Sequence, residues 1–256
     1  MVSLLWIMFG GYAVGILLPF YLLRRPETHS GAASIPAIVA TSAGVVLGLL
    51  GLTSSEPVTG SLASTIPLLT MTIRLDPLAA FFILTISLVG LAASIYAIGY
   101  GRHFEGRTSV ATFSALFNAF LGSMTLVVLA DNAFFFLLAW ELMSLLSYFL
   151  VVTEHEKAEV RYAGLFYVIM THIGTAFIVV AFLIFFQSAG SFSFDAFRHP
   201  ERPLSEGMRT LAFLMALIGF GMKAGIVPLH VWLPYAHPAA PSHISALMSG
   251  VMIKTA

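Results

Sequence analysis

Apolar residues run along this chain in blocks of about 20 separated by polar joints, and a block of that length is what crosses a bilayer. Eight blocks qualify, roughly 3–23, 32–53, 78–100, 110–130, 132–152, 162–187, 209–234 and 241 onward. Lipid offers no partner to a bare backbone N–H or C=O, so these blocks are predicted to be α-helices. Two joints are long: SSEPVTGSLASTIPLLTMTIRLDP, and AGSFSFDAFRHPERPLSEGMR. Within the first, TMTIR alternates as a short strand does. The last block, SHISALMSGVMIKTA, has no polar cap, helix-terminating glycine or basic flank. The chain is therefore read as ending inside its eighth helix and as part of a longer protein.

Composition turns that pattern into a class. The 256 residues are 59% hydrophobic and 9% charged, far from the roughly 25% charge of a soluble domain. The mean hydropathy is +0.94. Twelve basic residues balance twelve acidic ones, which gives no reason to expect nucleic acid or peripheral binding to a charged membrane surface. The absence of cysteine removes disulfides, thiolate metal sites and iron–sulfur ligation from these residues. The N-terminus lacks a basic n-region and has its arginines on the far side of the apolar block, so a retained first helix is expected. Joints on one side carry Arg24, Arg25, Arg102, Arg107, Lys157 and Arg161, against Arg74, Arg198, Arg202 and Arg209 on the other. Six against four places the N-terminus outside by the positive-inside rule.

Three ionisable residues fall well inside the predicted spans: Glu141, Lys223 and Lys254. Each costs about 2.5–3.5 kcal/mol there, and such groups mark ion pathways by default. Glu141 follows Asp131 by ten residues, roughly 15 Å along a helix and near the middle of the membrane. A buried carboxylate and ammonium are cheapest when they face each other, so a Glu141–Lys223 pair is expected, either as a static packing bridge or as a working pair. In GFGMKAGIVPLHVWLP, Pro228 cannot donate to the carbonyl of Ala224, and Gly219, Gly221 and Gly225 loosen the same region. A simple proline kink is one reading. A broken helix lining a wet cavity is the other, and the adjacent lysine favours it. Burial disfavours the ammonium and a nearby carboxylate favours it, so moving Glu141 could make Lys223 take up and release a proton.

Histidines add groups that exchange protons near neutral pH. His172 lies deep in the sixth block and is either a relay or a packing residue. His230, beside the break, is read as functional, whereas His237, Tyr235 and Trp232 are placed in an interfacial aromatic belt. No HExxH accompanies the cluster of His230, His237 and His243, and its spacing is not that of metal ligands. Phosphate-loop and dinucleotide fingerprints are also lacking.

GMKAGIVPLHVWLPYAHPAAPSHISALMSGVMIKTA resembles the seventh and eighth helices of the antiporter-like proton-translocating subunits of complex I and its relatives. AWELMSLLSYFLV is similar to the fifth helix of that family, and RLDPLAAFF fits the start of its third. HPAAPSHISALMSG and VMIKTA look most like the hydrogenase-4 component B and formate hydrogenlyase subunit 3 branch. The resemblance implies an all-α transmembrane bundle with a discontinuous helix near 219–234, belonging to the first of two inverted repeats. Residues 1–100 would be the three N-terminal helices and 101–256 a truncated first repeat. By matching positions, Glu141 would modulate the pump lysine Lys223, Lys254 would pass protons toward the membrane centre, and His230 matches the motif histidine. Pro228 and Gly225 would form the break.

It further implies coupling to redox chemistry in partner subunits, a NiFe centre and Fe–S clusters in those partners, and none in this chain. Other membrane subunits, a soluble redox arm, protons and the lipid bilayer would be the partners, in a bacterial or archaeal cytoplasmic membrane. Two alternatives stand beside this one: a subunit of a multisubunit sodium/proton antiporter, and a passive scaffold or truncated remnant.

Overall fold

The computed structural model describes residues 1–22, 30–62, 71–100 and 110–256. Helices α1 (Val2–Leu22) and α2 (Ser30–Leu52) are followed by strands β1 (Val58–Leu62) and β2 (Met71–Leu75), then by α3 (Pro77–Tyr100), α4 (Val110–Leu129) and α5 (Ala133–Val151). The 32-residue α6 (Ala158–Ala189), the short α7 (Phe194–Arg198), α8 (Glu206–Ala224), α9 (Leu233–Ala239) and α10 (Ser242–Gly250) complete the order. Seven stretches among the described residues are long and apolar enough to cross a membrane, the seventh being α8 through α9. The eighth expected span is helical over nine residues only and gives way to a tight turn at Met252–Lys254.

The ends of these helices follow from local chemistry. Pro77 sits at the first helical position of α3, where its missing N–H is no loss, and Asp76 Oδ1 accepts from the Ala79 N–H at 2.9 Å. Asn132 caps α5 by accepting from Phe134 N–H at 2.8 Å and Phe135 N–H at 3.3 Å. The Asn132→Ala variant should therefore lose about 1 kcal/mol of stability, read as a lower thermal midpoint in detergent. At the far end of α6 the chain passes through the left-handed Gly190.

Helix α2 packs between α1 and α3, α4 leans on α1 and α5, and α6 is held by α5, α8 and α9. Their shared core contains Trp140, Trp232, Tyr167, Phe120 and Met124, all fully buried. Large apolar side chains such as Leu17, Leu78 and Phe213 point outward, as suits a lipid-facing surface.

At one end the backbone is stitched rather than merely packed. The expected strand is there as β2, Met71–Leu75, with Thr70 outside the described residues, and its partner is β1, with Val58 opposite Leu75. β2 also bridges Ala130 through Ile73, and the Asp131 N–H donates to Thr72 O at 2.9 Å. Ala133 N–H donates to Phe192 O at 2.8 Å, and Asn132 bridges Ser193. The hairpin, the α4–α5 turn and the α6–α7 joint thus form one hydrogen-bonded floor. Of the arginines that set the expected orientation, Arg24, Arg25, Arg102 and Arg107 lie outside the described residues.

Candidate proton-pathway site

Helix α8 ends at Ala224 because Gly225 takes a left-handed conformation (φ 75°), which glycine adopts without a Cβ penalty. The N–H groups of Gly225 and Ile226 both point back to Gly221 O. The break is therefore made at Gly225, three residues ahead of Pro228, and not by the proline ring against Ala224. The cis Val227–Pro228 peptide and the tight turn Leu229–Trp232 then lead into α9. That path turns Trp232 inward, so the expected interfacial residue is fully buried. Its indole N–H donates at 2.7 Å to Met222 O, a carbonyl exposed by the end of α8. Trp232→Phe removes this donor and should cost about 1–3 kcal/mol, measurable as a lowered unfolding temperature.

Lys223 occupies the last turn of α8 and is 2% exposed, so its ammonium must find acceptors inside the protein. Nζ donates to Ser144 Oγ at 2.9 Å and to Tyr167 OH at 3.1 Å. The same nitrogen lies 5.7 Å from the Trp140 ring centre and 5.4 Å from that of Tyr167, close enough for cation–π attraction. Tyr167 OH also pairs with Ser147 Oγ at 2.6 Å, rests 3.7 Å from Met252 Sδ, and packs its ring 4.9 Å from Trp232. This cradle of hydroxyls and π faces holds a cation without a carboxylate in direct contact.

The expected direct Glu141–Lys223 pair is not formed. Ser144, three residues beyond Glu141 and about 4.5 Å further along α5, takes the lysine instead. Glu141 Oε2 meets His172 Nε2 of α6 at 3.2 Å, and His172 Nδ1 lies 2.8 Å from Val168 O. Glu141 Oε1 is buried with no hydrogen-bond partner among the described residues. His172 lies mid-way along α6 as expected, with a half-exposed side chain. Lys254 is exposed on the turn after α10, so of the three expected interior charges only Lys223 is fully enclosed. The turn that carries Lys254 also carries Met252, the residue touching Tyr167. His230 is part-buried, and its Nδ1 has no hydrogen-bond partner among the described residues. His237 stacks on Trp232 and shares a 3.0 Å hydrogen bond with Ser245 Oγ. His243 sits among the rings of Tyr96, Phe113 and Phe117.

Sequence reasoning missed Ser144, Ser147 and Tyr167, the groups that touch the lysine or its partner. Their signal was faint but present: Ser144 and Ser147 are polar positions inside AWELMSLLSYFLV, one helical turn apart. Beside the floor, a cavity of about 200 Å³ is lined by Arg74, Asp76, Asp131, Arg198 and Thr255 among others. Burial there raises the Asp131 carboxyl above the usual carboxylate range, against the lowering pull of Arg74 and Arg198.

Residues 130–256 match the family described as NADH:quinone oxidoreductase/Mrp antiporter, transmembrane. Residues 67–109 match the one described as NADH-ubiquinone oxidoreductase (complex I), chain 5 N-terminus. Hydrogenase-4 component B of Escherichia coli (strain K12) is 46% identical over 72% of this chain and 27% of its own length. Formate hydrogenlyase subunit 3 of the same organism is 26% identical over 95% of this chain and 37% of its own. The chain thus spans about a third of the length of these curated relatives. In three dimensions it is similar to a chain of the membrane-bound sulfane sulfur reductase, an archaeal respiratory membrane complex. The TM-score is 0.78 at 18% identity, covering 95% of this chain and 51% of that one.

Proposed function

Because the chain carries both of those segments and belongs to the NADH:quinone oxidoreductase/Mrp antiporter family of membrane subunits, we propose that it moves protons through the membrane for a hydrogenase-type redox complex. The observation that carries this reading is the enclosure of Lys223 in neutral hydroxyls and ring faces, one of those hydroxyls, Ser144, lying one turn from Glu141 on α5. A lysine so placed can exist as ammonium or amine without unfolding its surroundings, and the position of the Glu141 carboxylate biases the choice. Approach of the carboxylate favours proton uptake at Nζ, and its withdrawal favours release. Lys254 and His230 are assigned to passing the proton onward along the membrane centre. Pro228 and Gly225 keep the lysine at a helix end where such movement is accommodated.

The residues present offer no thiolate for an iron–sulfur cluster, so electrons are assigned to partner subunits that carry a NiFe centre and Fe–S clusters. Other membrane subunits and a soluble redox arm complete the assembly. A bacterial or archaeal cytoplasmic membrane, with the N-terminus outside, is the proposed setting. Within this reading residues 1–100 form an N-terminal group of helices and 101–256 the first antiporter-like repeat.

The test is Glu141→Gln, which keeps shape and hydrogen-bonding capacity but removes the charge. Redox-driven proton translocation into vesicles should fall to background while the complex still assembles. An assembled variant that pumps normally removes Glu141 from the mechanism, and a variant that only destabilises the complex points to a scaffold. The Mrp antiporter half of the family description favours a second reading, cation/proton antiport without a redox partner. Transport that requires sodium and proceeds without co-purifying metal clusters would establish it.

A further inference from the structure

Glu141 and His172 are in close contact, and the two contacts of the imidazole limit which protonation states suit it. His172 Nδ1 lies 2.8 Å from the carbonyl oxygen of Val168, one turn earlier on α6. A carbonyl oxygen only accepts, so Nδ1 carries a hydrogen. The other ring nitrogen, Nε2, lies 3.2 Å from Glu141 Oε2. With Nδ1 protonated, two states satisfy that contact. Either a neutral imidazole accepts from a protonated carboxyl, or an imidazolium donates to a carboxylate. A neutral imidazole against a carboxylate would set lone pair on lone pair, and an imidazolium against a carboxylic acid would set hydrogen on hydrogen. Both allowed states contain the same single proton between Nε2 and Oε2.

The pair is also well placed. Glu141 is the ninth of the 19 residues of α5, and His172 the fifteenth of the 32 of α6, so both sit near mid-height of the bundle. Lys223 of α8 and Tyr167 of α6 are further titratable groups in this part of the core. Glu141 Oε1 has no hydrogen-bond partner among the described residues. Lys223 Nζ has three hydrogens in its charged form, of which two are committed to Ser144 and Tyr167. Ser144, which holds one hydrogen of Lys223, follows Glu141 by one turn of α5, so a free acceptor on Glu141 and an uncommitted position on Lys223 flank the same stretch of that helix.

We infer that Glu141 and His172 together form a one-proton store, and that His172 is the group that holds Glu141 away from Lys223. The proton count follows from reading the Glu141 contact as a hydrogen bond beside the Val168 one, and only its use in transport rests on the proposed function. In that use, Glu141 rotates with its proton toward the amine form of Lys223. Its O–H bond breaks, an N–H bond forms at Nζ, and carboxylate faces ammonium. His172 is left as a neutral imidazole. The cycle balances when His172 takes up one proton from the proton pathway of the assembled complex and the returning carboxylate closes the pair again.

The experiment is ¹⁵N solid-state NMR of the histidine-labelled chain, purified in its native membrane assembly and placed in lipid. The His172 signal is assigned by its loss in His172→Gln, with His172→Asn as a second assigning variant. Infrared spectra of the same samples follow the Glu141 carboxyl band, assigned with Glu141→Gln. Nδ1 is expected to remain protonated at every pH at which the pair is closed, and the imidazolium signal should rise as the carboxyl band falls. A bare Nδ1, or imidazolium and carboxyl bands that vary independently, overturns the store whatever the transport activity. A store seen by both methods with normal pumping in Glu141→Gln supports the store and removes its use in transport.

Discussion

Replacing Lys223 with methionine is expected to reduce proton translocation to background without collapsing the bundle. Methionine has about the same length and keeps contact with the Trp140 and Tyr167 rings, while Tyr167 OH retains its 2.6 Å partner in Ser147. The only group lost is the one that can bind and release a proton. Lys223→Arg is the informative companion. Arginine keeps the positive charge but does not deprotonate in a protein, so it should stop transport as completely as methionine does. Dye-detected acidification of vesicles measures both, and the thermal midpoint of each variant reports folding. Transport by the arginine variant would show that Lys223 supplies a fixed field and not an exchangeable proton.

Gly219→Leu should prevent the protein from accumulating in the membrane, and Gly219→Ala should lower its stability by about 1–3 kcal/mol. A Cβ at Gly219 would lie 2.6 Å from Ile178 Cγ1, 2.7 Å from Gly174 O and 2.9 Å from the Ile178 backbone nitrogen. Two of those three atoms are backbone, so relief requires α6 and α8 to move apart. A Cβ at Gly174 would in turn lie 3.1 Å from Gly219 O, so the close approach is mutual. Such small-residue crossings drive helix association where lipid supplies no hydrophobic force. Membrane yield and thermal midpoint check the expectation. A leucine variant with wild-type stability would mean that the two helices do not meet here. Lys223 lies one turn beyond Gly219, so the alanine variant should also slow transport more than its stability loss explains.

The seven spans were legible because bilayer thickness sets a minimum length for a crossing helix, and seven apolar stretches of 19 residues or more meet it before the shorter α10. The break between Lys223 and His230 was legible for a similarly local reason, although proline drew the attention and the left-handed Gly225 makes the turn. What the sequence did not show was partner choice. Charges advertise themselves in an apolar block, so Glu141 and Lys223 were matched with each other, yet helix rotation sends one toward His172 and the other toward Ser144 and Tyr167. A hydroxyl in a membrane helix usually bonds its own backbone, and Ser147 does so as well, donating to Ser144 O at 2.8 Å. Nothing in the order of residues separates such a serine from one that supports a lysine. Trp232 was misplaced for the same reason: its partner, Met222 O, exists only once the helix has ended.

The hydrogen-bonded floor at the α4–α5 turn decides which component is the bearing and which the moving arm. Helix α5 is capped by Asn132, and the residues on either side of that cap are tied to β2 through Ala130 and Asp131 and to the α6–α7 joint through Asn132 and Ala133. Sliding α5 along its axis would break several of these at once. Past Gly225, by contrast, the chain leaves Ile226, Val227 and Pro228 exposed before the tight turn. Stiffness is thus distributed unequally around the lysine. Any closure between Glu141 and Lys223 comes from rotation of the glutamate side chain or displacement of the α8 end, with α5 acting as the stationary rail against which that travel is gauged.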